Sequence, residues 1–219
     1  MKKALLFGSI GVLAETSELQ RRAYNEALKL NNVGWRWNIG TYCNLLQEPG
    51  GKKRLSSFGG GALAKELIEK IHYDKQEIFE DLVKNGIEPR SGCLEALKTC
   101  KDLGIKLGFI TTTTPKTVAI IKEGLSNYID FEDFDLITSN QLVKQGKPNV
   151  EIYEYALSKL KISANEAIAI EDTKANQSSA NLCGIDCYLF PGEYATINCE
   201  DMLGKKFITE KLELSKILD

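Results

Sequence analysis

Short apolar runs alternate with amphipathic segments along most of this chain, and that alternation restricts the fold to a parallel sheet flanked by helices. The runs are Ala4 to Phe7, Lys106 to Thr111, Phe134 to Thr138, Ala167 to Ile170 and Cys187 to Phe190. They predict an α/β fold, a doubly wound, Rossmann-like parallel sheet of five strands. A long interval without a convincing strand follows the first run. Most of it has helical periodicity: Ser17 to Leu30, Ile39 to Leu46, Leu63 to Ile71 and Lys75 to Val83 carry apolar residues at three- and four-residue spacing. The expected organisation is therefore an α/β core of residues 1–14 and 89–219 with an α-helical subdomain, residues 15–88, inserted after the first strand. Ser17 and Gln20 have the spacing of a capping box for the first inserted helix. The stretch from Asn85 to Gly92 reads as the return linker, and Gly50, Gly51 and Gly59 to Gly61 interrupt the insert.

Composition removes several classes of function. The chain has 219 residues, 43% of them hydrophobic and 26% charged, with a formal net charge of -2, so it has neither a nucleic-acid footprint nor a polybasic membrane patch. The six cysteines, at 43, 93, 100, 183, 187 and 199, form no CxxC pair and read as free, mostly buried thiols. The first apolar run is too short for a secretory segment or a membrane span. These features predict a cytoplasmic protein without nucleic-acid or membrane partners; they say nothing of a protein partner.

Ligands of doubly wound sheets bind in the loops beyond the carboxyl ends of the strands. Here those loops are GSIG (Gly8 to Gly11), TTTTPK (Thr111 to Lys116), KQGKP (Lys144 to Pro148) and EDT (Glu171 to Thr173). Hydroxyls after the second strand, a lysine ahead of a helix, and paired carboxylates suited to a hard cation together describe a phosphate site. Thr114 followed by Pro115 has the signature of an N-cap and first turn, which leaves Thr111 as the threonine to touch phosphate.

With these motifs in this order, the chain resembles the haloacid dehalogenase superfamily of phosphatases and phosphomutases, in its branch with a helical cap after the first strand. Thr111 closes an apolar strand as the second motif of that family does, Lys147-Pro148 resembles the third motif, and Glu171-Asp172 the fourth. Two stretches of the insert, ETSELQRRAYNEAL and GWRWNIGTYCNLLQEPGGKKRL, resemble the cap of CbbY-type sugar-bisphosphate phosphatases, relatives of β-phosphoglucomutase. The resemblance implies a small phosphorylated sugar as ligand. It assigns Thr111, Lys147, Gly11 and Glu15 to the core's phosphate or substrate contacts, Lys52 and Arg54 of GGKKR to the non-reacting part of the substrate, and Asp172 with Glu171 to Mg²⁺.

The departure from the family is at its first motif, DxDG. The positions of its nucleophilic Asp and its acid–base Asp are occupied by Gly8 and Ile10, while Gly11, Val12, Leu13, Glu15 and Thr16 stand in their usual places. Glycine offers no atom to accept a phosphoryl group and isoleucine no proton, so the chain is expected to lack the family's catalytic residues. Losing a nucleophile costs about a million-fold in rate elsewhere. Mg²⁺, short of carboxylates, is expected to bind weakly or not at all. Lys147 is expected to pair with Asp172 or Glu171 or to attract an anion, the alternative being a plain loop lysine.

Ser9 lies between the altered positions, and strand alternation turns it to the opposite side. The sole histidine, His72, has no second ligand at metal spacing and reads as a surface or satisfied residue, which excludes a Ser-His-Asp triad. Gln20 reads as a cap residue, and Trp35 and Trp37 read as packing. Three functions are compatible with this pattern: a catalytically impaired phosphatase homologue that binds a sugar phosphate, an active phosphohydrolase with another nucleophile, and an interaction module with a vestigial pocket.

Overall fold

The computed structural model describes residues 2–8, 10–47, 50–203 and 206–218. Ser9 therefore lies outside the described residues. In chain order the elements are β1 (Ala4–Phe7), α1 (Ile10–Leu13), α2 (Ser17–Leu30), α3 (Ile39–Leu46), α4 (Gly51–Phe58), α5 (Lys65–Val83), α6 (Cys93–Asp102) and β2 (Lys106–Phe109). They continue with α7 (Pro115–Leu125), β3 (Leu136–Ile137), α8 (Glu151–Leu160), β4 (Ala167–Glu171), α9 (Lys174–Leu182), β5 (Asp186–Leu189), α10 (Cys199–Met202) and α11 (Ser215–Leu218).

The chain separates into two compact units, one of residues 1–15, 87–192 and 197–219 and the other of residues 16–86 and 193–196. The first is a parallel sheet of order β3-β2-β1-β4-β5. β1 and β4 are buried along their whole length, which is why both read as unbroken apolar runs. β3, at the sheet edge, is shorter than its apolar run predicts: Phe134 follows a 3₁₀ turn, and only Leu136 and Ile137 pair with β2. Helix starts in this unit are built as their sequences require. Thr114 accepts the Thr117 N–H with Pro115 in the first turn of α7, and Thr173 accepts the Asn176 N–H at the start of α9.

Arg90 fastens the return segment to this unit. Its Nη1 donates to the carbonyls of Gly11 and Phe190 (2.7 Å each), its Nη2 to that of Pro191 (2.6 Å), and its guanidinium lies 3.4 Å over the Phe190 ring. The loops after β1 and β5 are thus held by one side chain.

The second unit packs Tyr24, Leu28, Trp37, Tyr42, Leu55 and Ile71 into its own core. Trp37 is fully buried and stacks on Tyr42, so packing accounts for it. Residues 193–196 belong here because the Tyr194 hydroxyl donates to Glu18 at 2.5 Å, and Glu18 also takes two bonds from Arg21. Two expectations fail in this unit. The capping box does not form: the N-cap residue of α2 is Thr16, with no side-chain cap, and the Gln20 amide oxygen accepts from Lys75 instead. The two helices expected over 63–71 and 75–83 are one, α5, because His72, Tyr73 and Asp74 contain nothing that breaks a helix. Gly50, at φ +101°, lies in the break between α3 and α4, and Gly51 opens α4. Among the described residues no helix is long and apolar enough to cross a membrane.

Candidate functional site

The sheet register builds the core part of the site. Phe7 pairs with Ile170, and the Gly8 N–H continues the ladder to the Ile170 carbonyl at 2.8 Å, so residue 8 lies opposite Glu171. Parallel neighbours in register share a face. With no side chain on Gly8, the Glu171 carboxyl leans into that space: a Cβ on Gly8 would collide with it and would lie 2.6 Å from the Tyr153 hydroxyl.

Lys147 arrives from the loop before α8, following a turn in which its own N–H donates to Thr112 Oγ1 at 3.2 Å; the Lys147–Pro148 peptide is cis. Its ammonium donates to the carbonyls of Gly8 and Ile110 and to Glu171 Oε1, with Tyr153 Oη at 3.3 Å. Tyr153 in turn donates to the same Oε1 at 2.5 Å. Of the partners foreseen for Lys147, Glu171 is the one it takes, and both side chains are buried, at 5% and 0% exposure. Burial pushes the Glu171 carboxyl above the usual carboxylate range, and the Lys147 charge opposes that shift. Desolvation and the neighbouring carboxylate hold the Tyr153 phenol well above its ordinary value, as its donor role requires. Gly8 itself offers no atom to accept a phosphoryl group, and the carboxyl group that stands beside it is that of Glu171.

The other core residues are more scattered. A Cβ on Gly11 would run into Asp172 Oδ2, and one on Gly192 would run into Glu15, so both glycines permit close approach by a carboxylate. Asp172 Oδ1 also accepts from Asn176 at 3.4 Å. Thr111 is buried, and its hydroxyl accepts the Thr113 N–H at 3.2 Å. Its backbone is clasped by Thr138, whose Oγ1 accepts from the Thr111 N–H and donates to the Thr111 carbonyl, each at 2.8 Å. The Ile10 carbonyl accepts the Ala14 N–H at 2.9 Å. Among the described residues no group of three or more His, Cys, Asp or Glu could hold a metal ion.

The helical unit holds a cluster of cations. Lys52 pairs with Glu69 on the surface, and Arg54 Nε donates to the Leu45 carbonyl at 2.9 Å. Lys75 is buried under the Tyr24 and Phe79 rings, 5.0 and 4.8 Å from their centroids, and donates to Gln20 and Gln76. Burial first, and the charge of Arg54 second, lower its pKa to about 7. His72 is brought down to about 4, chiefly by burial and then by Lys75, so its ring is neutral at pH 7.

Two of these residues escape the sequence reading. Lys75 sits in the buried stripe Ile71, Lys75, Phe79, Val83 of α5, every fourth residue, and a lysine on an apolar stripe is the signal. Dividing the helix at residue 72 hides it. Tyr153 lies on the core face of α8 beside Ile152 and Ala156, where a buried hydroxyl must find a polar partner.

A β1-centred parallel sheet with a Lys-Pro step, a Glu-Asp pair at the end of β4 and a helical unit inserted after β1 is the arrangement of the capped haloacid dehalogenase-like proteins. The chain belongs to the haloacid dehalogenase-like hydrolase family, which matches residues 11–190. It is 35% identical over 198 residues to protein CbbY of Cereibacter sphaeroides, covering 89% of this chain and 86% of that one. It is 28% identical over 189 residues to a phosphorylated carbohydrates phosphatase of Thermotoga maritima, covering 84% and 82%. Its structure matches that of CbbY from Rhodobacter sphaeroides, crystallised as an Asp-to-Asn variant with xylulose 1,5-bisphosphate, at a TM-score of 0.85 and 33% identity, covering 96% and 95%.

Proposed function

We propose that this chain is a catalytically impaired homologue of the CbbY-type phosphatases that binds a phosphorylated sugar without hydrolysing it. One observation carries the proposal: residue 8 is a glycine, and the space a nucleophile's side chain would enter from it is filled by Glu171. Glu171 is a poor substitute nucleophile, being fully buried with its Oε1 already accepting from Lys147 and Tyr153. The oxygens present do not fit a tightly held Mg²⁺. Residue 8 brings no carboxylate and Glu171 faces Lys147, which leaves Asp172 of the carboxylates at the motif positions.

Binding has better support. Arg54 and Lys75 form a cationic group in the helical unit, and the same reading gives Lys52 a part in holding a second phosphate. In the core unit it assigns Thr111, Gly11, Lys147 and Glu15 to phosphate contacts. The relative solved with xylulose 1,5-bisphosphate held it with one aspartate replaced, so the sugar is a fitting probe.

The test incubates purified protein with xylulose 1,5-bisphosphate and Mg²⁺, reads phosphate release, and measures binding by calorimetry. The expected outcome is release indistinguishable from a protein-free control together with saturable, metal-independent binding that Arg54→Ala weakens at least about ten-fold, one lost charge-assisted contact. Steady turnover, or a covalent phospho-adduct on the chain, defeats the impaired reading. Absence of binding defeats the ligand.

A further inference from the structure

Lys147 has three N–H bonds, and all three have acceptors. Two acceptors are main-chain carbonyls at strand ends, Gly8 and Ile110, and the third is Glu171 Oε1. A phosphoryl oxygen approaching this ammonium finds no free proton. The carbonyls cannot leave without moving the sheet, whereas the carboxylate can leave by side-chain rotation. Glu171 also lies over Gly8, in a space that any side chain at residue 8 would claim.

We infer that Glu171 is the internal occupant of the core's anion site: a carboxylate of this chain that holds Lys147 in place of an external tetrahedral oxyanion and competes with it. The inference rests on reading the core as a phosphate site without a nucleophile at residue 8. It adds that the site is closed from within. Carboxylate and phosphoryl group carry like charge and need the same N–H, so binding of one requires release of the other. Tyr153 sharpens the competition, since its hydroxyl donates to the same Glu171 Oε1 that Lys147 holds and so fastens the carboxylate in place.

Calorimetric titration with inorganic phosphate tests this on the full chain, with circular dichroism as the check on folding. Glu171→Gln keeps the shape and removes the charge; it is expected to tighten phosphate at least about ten-fold, the equivalent of one charge-assisted bond regained. Gly8→Ala places a methyl in the carboxylate's space and is expected to tighten phosphate in the same direction. Adding Lys147→Met to either should abolish the gain. A folded Glu171→Gln protein that binds phosphate no better than wild type overturns the inference. If that variant does not fold, Tyr153→Phe, which loosens Glu171 by a single hydroxyl, decides it: tighter phosphate supports the internal occupant and unchanged affinity refutes it. A wild-type chain that ignores xylulose bisphosphate while Glu171→Gln captures phosphate would sink the proposed function and leave this inference standing; bisphosphate binding without the phosphate gain would do the reverse.

Discussion

Each unit of this protein buries a lysine, and the two are buried in opposite ways. Lys147 in the core meets a carboxylate, Glu171, from the neighbouring strand end. Lys75 in the helical unit, 4% exposed, meets amide oxygens and two aromatic faces, with no carboxylate partner among the described residues and Arg54 close enough to repel it. A buried charge is tolerated only when paired or well hydrogen-bonded. The core has satisfied that requirement from its own sheet, and the helical unit has met it by making its amine easy to deprotonate. The difference teaches where a ligand's negative charge is wanted: Lys147 already has its anion, whereas the buried Lys75 has none among the described residues.

The strongest way to break this contrast is to give the core a rival anion. Gly8→Asp together with Ile10→Asp puts a carboxylate where Glu171 now leans and forces Glu171 away from Lys147. Because a missing nucleophile costs about a million-fold, recovery of even part of it predicts Mg²⁺-dependent phosphate release from xylulose 1,5-bisphosphate at least about a thousand-fold above wild type. A folded double variant that stays inert would mean that the remaining loops have drifted as well, and the defect would no longer be confined to residues 8 and 10.

Next in size is the core pair itself. Lys147→Met leaves the fully buried Glu171 without its cation, and such a broken pair typically costs about 3–5 kcal/mol. Urea unfolding should show that loss, and adding Glu171→Leu should recover most of it. Equal stability of Lys147→Met and wild type would show that the ion pair is not the internal partner claimed for it.

How far all this could be read from the sequence depended on whether a feature is local. β1, α2 and α3 begin and end where apolar periodicity and flanking residues put them, because those signals lie within one turn or one strand. The loss of both aspartates at Gly8 and Ile10 was equally plain. What replaced them was not. That Glu171 fills the space over Gly8 follows from the β1–β4 register, a tertiary fact joining residues far apart in the chain. That Gln20 serves Lys75 and not a capping box follows from the packing of α2 on α5. The buried stripe of α5 is legible in principle, because helix geometry runs undisturbed through His72 to Asp74, but those three polar or exposed residues mask its continuity.

The smallest effect tests the other side of the contrast, in the helical unit. Lys75 falls from 10.5 to about 7 on folding, so between those values the unfolded chain binds more protons than the folded one. Stability contributed by this residue therefore rises with pH across that window, by up to about 1.4 kcal/mol per unit, and below about pH 7, where both states are charged, the full penalty of burying the ammonium remains. Lys75→Met removes the titration. The stability of wild type minus that of Lys75→Met, measured by urea unfolding at pH 7, 8 and 9, should thus climb in favour of wild type, whereas a paired lysine would give a flat or falling difference. A flat line would mean that an anion already serves Lys75 inside the folded chain, and the helical unit would then be as closed to an outside phosphate as the core.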